Sequence, residues 1–197
     1  MNPVFSSHRR WRGPSGLFSD GPLLRKSTRI ADLIGVFADE RTRLTMAGDR
    51  VVYEVEMLDT SSAPGALYTG VTHLYPGKVG DEFFMTRGHF HARREQGEVY
   101  FGLRGSGLLL LQNERGETRL EQVFAGSVHV IPGYSAHRLI NTGADTLSAL
   151  AVWPAAAGHD YAALDGGFRL RVVEENRTIQ AKRGAEWLIL PALTAWI

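Results

Sequence analysis

The side chains in this sequence best suited to chemistry are His89, His91, Glu98 and His137. In an extended strand alternate side chains share a face, so His89 and His91 point one way and the intervening Phe90 the other. Glu98 opens the next strand-like run after the turn-like Arg93-Arg94-Glu95-Gln96-Gly97 and can return over the histidine pair, while His137 must arrive from a distant strand. Three imidazoles and one carboxylate suit a single Fe(II), Mn(II), Ni(II) or Zn(II) ion, and octahedral coordination would leave two positions for substrate or water. The chain has no cysteine, so a metal here must be held by nitrogen and oxygen, and disulfides and thiolate nucleophiles are excluded.

The elements that must position these residues are short β-branched and aromatic runs separated by turn signals. They are Val51 to Met57, Ala66 to Tyr75, Glu82 to Thr86, Glu98 to Arg104, Gly107 to Asn113, Glu117 to Phe124, Ser127 to Ile131, Arg138 to Asn141, Leu147 to Trp153 and Phe168 to Glu174. Glycine or proline punctuates them at Pro76-Gly77, Arg104-Gly105, Gly116, Gly126 and Gly143. The pattern predicts an all-β domain, an antiparallel barrel or sandwich.

Ile30, Leu33, Ile34 and Phe37 recur at helical spacing behind Ser27-Thr28, which predicts a short helix over about 29 to 40 that covers one barrel end. Residues 1–28 read as an N-terminal arm, 29–184 as one domain, and 185–197 as an apolar tail suited to packing on the barrel or on a second subunit.

With Lys plus Arg at 22 against 21 for Asp plus Glu, the balanced charge gives no case for nucleic acid or an anionic membrane as partner. No stretch approaches the roughly 20 apolar residues that span a bilayer. The first 20 residues lack the apolar run of a secretory signal. A cytoplasmic protein is expected.

A lone His-x-His is commonplace. A second block singles this one out: Gly126-Ser127-Val128-His129-Val130-Ile131-Pro132-Gly133-Tyr134-Ser135-Ala136-His137-Arg138-Leu139-Ile140-Asn141, in which His137 follows a Pro-Gly turn. Together the two blocks resemble the paired motifs of the cupin superfamily, with two departures: six residues separate His91 from Glu98, and Tyr134 occupies a slot usually held by glycine. The runs Tyr75-Pro76-Gly77-Lys78-Val79-Gly80, Thr86-Arg87-Gly88-His89-Phe90-His91, Glu98-Val99-Tyr100 and Gly158-His159-Asp160-Tyr161 look like the cupin-type phosphoglucose isomerases of archaea and some bacteria. The resemblance covers about residues 29 to 184.

That resemblance implies a cupin β-barrel (jelly roll), a homodimer, and an enzyme of glycolysis and gluconeogenesis that interconverts glucose 6-phosphate and fructose 6-phosphate. It implies one divalent metal per subunit, usually iron. Within the matching segments it assigns the metal to His89, His91, Glu98 and His137, and the phosphate end to Tyr53, Thr72, Thr86 and Gly88, with Lys78 or Arg87 as cationic help. Glu98 is a candidate base in an enediol route, or only a ligand if hydride shifts directly. Tyr100 shares a strand face with Glu98 and points towards the metal. His159 can close over sugar hydroxyls or act as an acid or base in ring opening. The family pattern has tyrosine where this chain has Trp153. His73 and His129 are read as structural.

Three alternatives keep the same ligands: a cupin dioxygenase, a non-catalytic sugar-binding cupin, and an isomerase that takes mannose 6-phosphate alone or in addition.

Overall fold

A computed structural model describes residues 10–12, 17–19, 23–58, 60, 62–164 and 166–188. The fold is built from β1 (Arg10–Arg12), β2 (Leu17–Ser19), β3 (Leu23–Arg29), β4 (Val51–Leu58), β5 (Leu67–Leu74), β6 (Lys78–Val79), β7 (Glu82–Phe83), β8 (Glu98–Arg104), β9 (Ser106–Asn113), β10 (Thr118–Phe124), β11 (Val128–Ile131), β12 (Ser135–Ile140), β13 (Leu147–Pro154), β14 (Leu170–Glu175), β15 (Thr178–Arg183) and β16 (Glu186–Leu188). Every pairing is antiparallel, as the turn-punctuated alternation predicts.

The strands form a six-stranded sheet in the order β11-β8-β13-β5-β4-β3, a three-stranded sheet, β10-β9-β12, a five-stranded sheet, β16-β15-β14-β7-β6, and the short β1-β2 pair. Alternation decides what points inward: in β8, Glu98, Tyr100 and Gly102 are buried while Val99 and Phe101 are exposed. The central strand β9 is different. Leu108, Leu109, Leu110 and Leu111 are all buried, the signature of a strand covered on both faces. Around them Phe84, Ile131, Leu139, Ile140 and Leu147 complete the core. Asn141, fully buried, anchors the end of β12 by donating from Nδ2 to the carbonyls of Leu74 (2.8 Å) and Asp145 (2.9 Å).

The N-terminal reading requires correction in two places. The helix expected over 29 to 40 is absent: a single 3₁₀ turn spans Ile30–Asp32, and the α-helix, α1, spans Glu40–Thr45. The apolar spacing reflects burial of Ile30, Leu33 and Phe37 in the core by an irregular segment. Gly35 at φ +72° breaks the helical path, and Asp39 caps the real helix by accepting from Thr42 N at 2.9 Å. The expected arm boundary at 28/29 falls inside β3, which pairs along β4 from Leu23↔Leu58 to Arg29↔Val51. Its sequence, LLRKSTR, is too polar to announce a strand, because β3 is an edge whose hydrogen bonds to β4 decide its conformation. At the other end β15 and β16 extend the sheet, and residues 189–197 of the expected apolar tail lie outside the described residues.

Candidate active site and metal centre

His89, His91, Glu98 and His137 converge, and one ligand atom from each lies within 4.8 Å of all the others. Three different devices bring them together. His89 and His137 face one another in an isolated antiparallel bridge, with His89 N donating to His137 O (3.3 Å) and His137 N to His89 O (3.1 Å). His91 follows two residues on, after Phe90, which turns to the opposite side and bridges Asp160. Glu98 begins β8, whose pairing with β11 sets Glu98 opposite Ile131.

The imidazole of His91 is oriented from behind. Its Nδ1 lies 2.9 Å from the Gln96 carbonyl, an acceptor, so Nδ1 carries the proton and Nε2 presents a lone pair. That Nε2 lies 3.2 Å from Glu98 Oε2, and His137 Nε2 lies 3.0 Å from the same oxygen. His89 Nε2 and His137 Nδ1 are buried without a hydrogen-bond partner. Each such group costs about 1–3 kcal/mol if left unsatisfied, so a cluster of them needs a further occupant. A divalent cation among three imidazoles and a carboxylate fits that requirement.

The protonation states of four groups agree, whereas at His91 burial is outweighed by the Glu98 carboxylate and the Gln96 carbonyl, which raise the imidazole above its usual range and favour a proton that a cation would replace. Burial, helped by the neighbouring histidines, holds His89 far below the usual imidazole range, hence neutral. Burial raises the Glu98 carboxyl, but His137 and His91 more than offset it and keep the group ionised. Burial lowers His159, which is therefore a neutral base near pH 7. Burial drives the Tyr100 hydroxyl upward, so it remains a donor.

These groups open into a cavity of about 420 Å³. Tyr53, Thr72, Thr86, Gly88, Tyr100 and His159 all line it. Tyr100 stands edge-on to His137 at 5.8 Å, and the His159 ring lies 4.3 Å from that of His89. Thr86 is fixed through Oγ1, which accepts from Leu139 N at 3.1 Å. Among the lining residues Glu98 is the sole carboxylate.

A search of protein-family models matches residues 27–187 to glucose-6-phosphate isomerase (GPI). The chain belongs to that family. Relatives named glucose-6-phosphate isomerase include one from Thermococcus litoralis, 44% identical over 81% of this chain and 85% of its own length. Another, from Pyrococcus furiosus, is 42% identical over 81% of this chain and 86% of its own. A bacterial relative from Rhizobium meliloti, named putative glucose-6-phosphate isomerase 1, is 42% identical over 76% of this chain and 72% of its own.

Within this family framework one sequence expectation is corrected. Lys78 is not at the cavity: it sits on β6 and pairs with Glu174 of β14. The cations that do line the cavity are Arg25, Lys26 and Arg87. Arg25 is paired with Glu56 at 2.8 Å, and Arg87 donates to the Asp32 carbonyl at 2.7 Å. Lys26 has no ion-pair partner among the described residues. It was hidden from sequence because β3 carries no strand signal.

Tyr161 also lines the cavity, its ring stacked on His159 at 5.9 Å and 7°. The alternation His159-Asp160-Tyr161 could have found it, since Asp160 turns away to bond Arg94 at 2.6 Å. Trp153 forms apolar wall beside Met57, edge-on to Tyr68. His73 and His129 are held outside the site, His73 by Ser148 and Glu56, His129 by Glu121 and Ser127.

Proposed function

We propose that this chain is a metal-dependent aldose-ketose isomerase that interconverts glucose 6-phosphate and fructose 6-phosphate. The observation that carries this reading is a single cavity in which convergent metal-donor atoms, that of His89 without a hydrogen-bond partner, share walls with hydroxyl and cationic groups and one carboxylate. The wall composition suits a dianionic phosphate on a polyhydroxylated chain.

His89, His91, Glu98 and His137 would hold the ion, with Fe(II) as the native metal and Mn(II), Ni(II) or Zn(II) as substitutes. When bound, it supplies Lewis-acid polarisation of the sugar oxygens at C1 and C2. The protein's own groups do the rest. Tyr53, Thr72 and Thr86 offer hydroxyls and Gly88 its N–H to the phosphate, with charge from Lys26 and Arg87. His159, neutral and beside the ligand set, can take the ring hydroxyl proton during ring opening and return it on closure. Tyr100 stays protonated and donates to a sugar oxygen. In an enediol route the Glu98 carboxylate carries the proton between C2 and C1. In a direct hydride shift it serves only as ligand, and deuterium incorporation from D2O separates the two.

The protein would act in the cytoplasm, as a homodimer. A row of exposed apolar side chains supports the dimer: Val128 pairs with Phe101 and Val130 with Val99 on the outer face of the β8–β11 pair. Light scattering at a mass twice 21.8 kDa is the check.

The decisive experiment is conversion of fructose 6-phosphate to glucose 6-phosphate in a coupled assay, on chelator-treated protein with and without Fe(II) or Mn(II). Metal-restored turnover is expected. Absence of turnover with stoichiometric metal bound would overturn the isomerase reading, and oxygen consumption would then favour a dioxygenase. Mannose 6-phosphate run in parallel defines the breadth of substrate.

A further inference from the structure

Between the bridges Met85↔Ile140 and His89↔His137 the pairing loses step, since Thr86, Arg87 and Gly88 stand opposite only Arg138 and Leu139. An extra residue of this kind is a β-bulge, which leaves backbone groups unpaired and re-aims what surrounds it. Thr86 remains tied to Leu139, with Thr86 N donating to Leu139 O at 2.9 Å. The Gly88 N–H has no hydrogen-bond partner among the described residues, although Gly88 is buried and lines the cavity. A buried backbone donor is almost always satisfied, so this one is left to take an acceptor from the cavity.

Arg138 holds the other end of the same peptide. Its side chain is buried, and its Nη2 donates to the carbonyl oxygen of Arg87. The guanidinium lies 4.2 Å over the ring of Phe168. The peptide joining Arg87 to Gly88 is trans and planar, so its N–H points opposite to its carbonyl. Arg138 lines a neighbouring hollow, of about 410 Å³, and not the cavity itself. Arg87 and Gly88 border both spaces, and with the carbonyl held on the Arg138 side the N–H is turned away from Arg138, the direction in which the cavity opens. The same Phe168 ring packs on Gly88: a Cβ at residue 88 would lie 2.6 Å from it, and Gly88 sits at φ +74°.

Resting on the isomerase reading above, we propose that Arg138 is a positioning residue whose hold on the Arg87 carbonyl aims the Gly88 N–H at the substrate phosphate. Two further features support this over a purely structural role. Arg138 has no carboxylate within ion-pair distance among the described residues, and its buried Nε has no hydrogen-bond partner, so it is a poorly compensated buried cation. Its positive charge behind the carbonyl also polarises the shared peptide and strengthens the N–H as a donor to an anion.

The test uses the Zn(II)-loaded full-length protein and inorganic phosphate as probe, reading the Gly88 amide resonance, together with fructose 6-phosphate kinetics. Phosphate should shift the Gly88 amide in the wild type. Arg138→Met should weaken phosphate binding and raise KM by about tenfold, the size of one hydrogen bond to a charged group, with kcat changed far less. Arg138→Lys should fall between. A folded Arg138→Met with wild-type phosphate affinity and KM would overturn the proposal. If that variant does not fold, Arg138→Lys decides: weakened phosphate binding supports the assignment, wild-type binding overturns it. A wild-type Gly88 amide that ignores phosphate overturns it regardless of turnover, whereas a responsive amide in a protein without isomerase activity supports it and overturns only the isomerase reading.

Discussion

His89 and His137, far apart in the chain, sit directly opposite each other and exchange both backbone hydrogen bonds, with their rings 4.6 Å apart. The backbone thus sets the spacing of two candidate ligands before any metal arrives. A site preset in this way loses little order on binding, and its unpartnered ring nitrogens make the empty state the costly one.

Metal removal should therefore lower stability as well as activity. With metal at about a hundredfold its dissociation constant, binding adds about 2.7 kcal/mol, or roughly 5–10 °C in Tm for a chain of this size. Thermal scans of chelated and reloaded protein test this, and coincident Tm values would mean that the cluster does not hold a metal.

His91→Ala should abolish metal retention and turnover while leaving the barrel folded, because the neighbouring backbone bridge of His89 and His137 does not depend on the His91 ring. Elemental analysis beside circular dichroism is the measurement. Full activity at normal metal content would remove His91 from the ligand set.

Thr86→Val should raise the Michaelis constant for the phosphorylated sugar and also cost about 1 kcal/mol of stability, since Oγ1 accepts from Leu139 N. Thr86→Ser retains both functions and is the control. An unchanged Michaelis constant in the valine variant would count against a phosphate contact.

Lys26→Gln should raise the Michaelis constant by about tenfold and flatten its dependence on salt, because an ammonium free of ion pairs at the cavity wall attracts the phosphate through a charge that salt screens. Kinetics across an ionic-strength series would reveal this. A variant as salt-sensitive as the wild type would assign the effect to another cation.

Tyr134 sits at φ +61°, the left-handed region, with its side chain exposed. Tyr134→Asn should stabilise the metal-free protein by about 0.5–1 kcal/mol, because asparagine tolerates that conformation without the chain entropy that glycine adds to the unfolded state. Urea denaturation provides the comparison, and a loss of stability would mean that the tyrosine ring makes a contact worth more than the strain.

Much of the site could be read along the chain, since the information is local. His89, Phe90 and His91 alternate, Glu98 and Tyr100 alternate, and turns before and after them end the strands, so each set shares a face wherever the strands are packed. The antiparallel character of the domain was legible for the same reason. Four things were not. The spacing of Ile30, Leu33 and Phe37 mimics a helix, yet the core buries those residues from an irregular segment broken at Gly35. Lys78 resembles a phosphate ligand in sequence, but the pairing of β14 with β7, and of β7 with β6, brings Glu174 to it instead. Lys26 lies on an edge strand that only its ladder with β4 makes a strand, and Arg138 acts through a bulge that exists only because two distant segments pair out of step. The sequence by itself determined which atoms are available to a metal and which side of each strand they occupy. Register between strands, and with it the meeting of His89 with His137 and the aim of the Gly88 amide, was decided by tertiary structure, because hydrogen-bond pairing depends on residues that no local pattern connects.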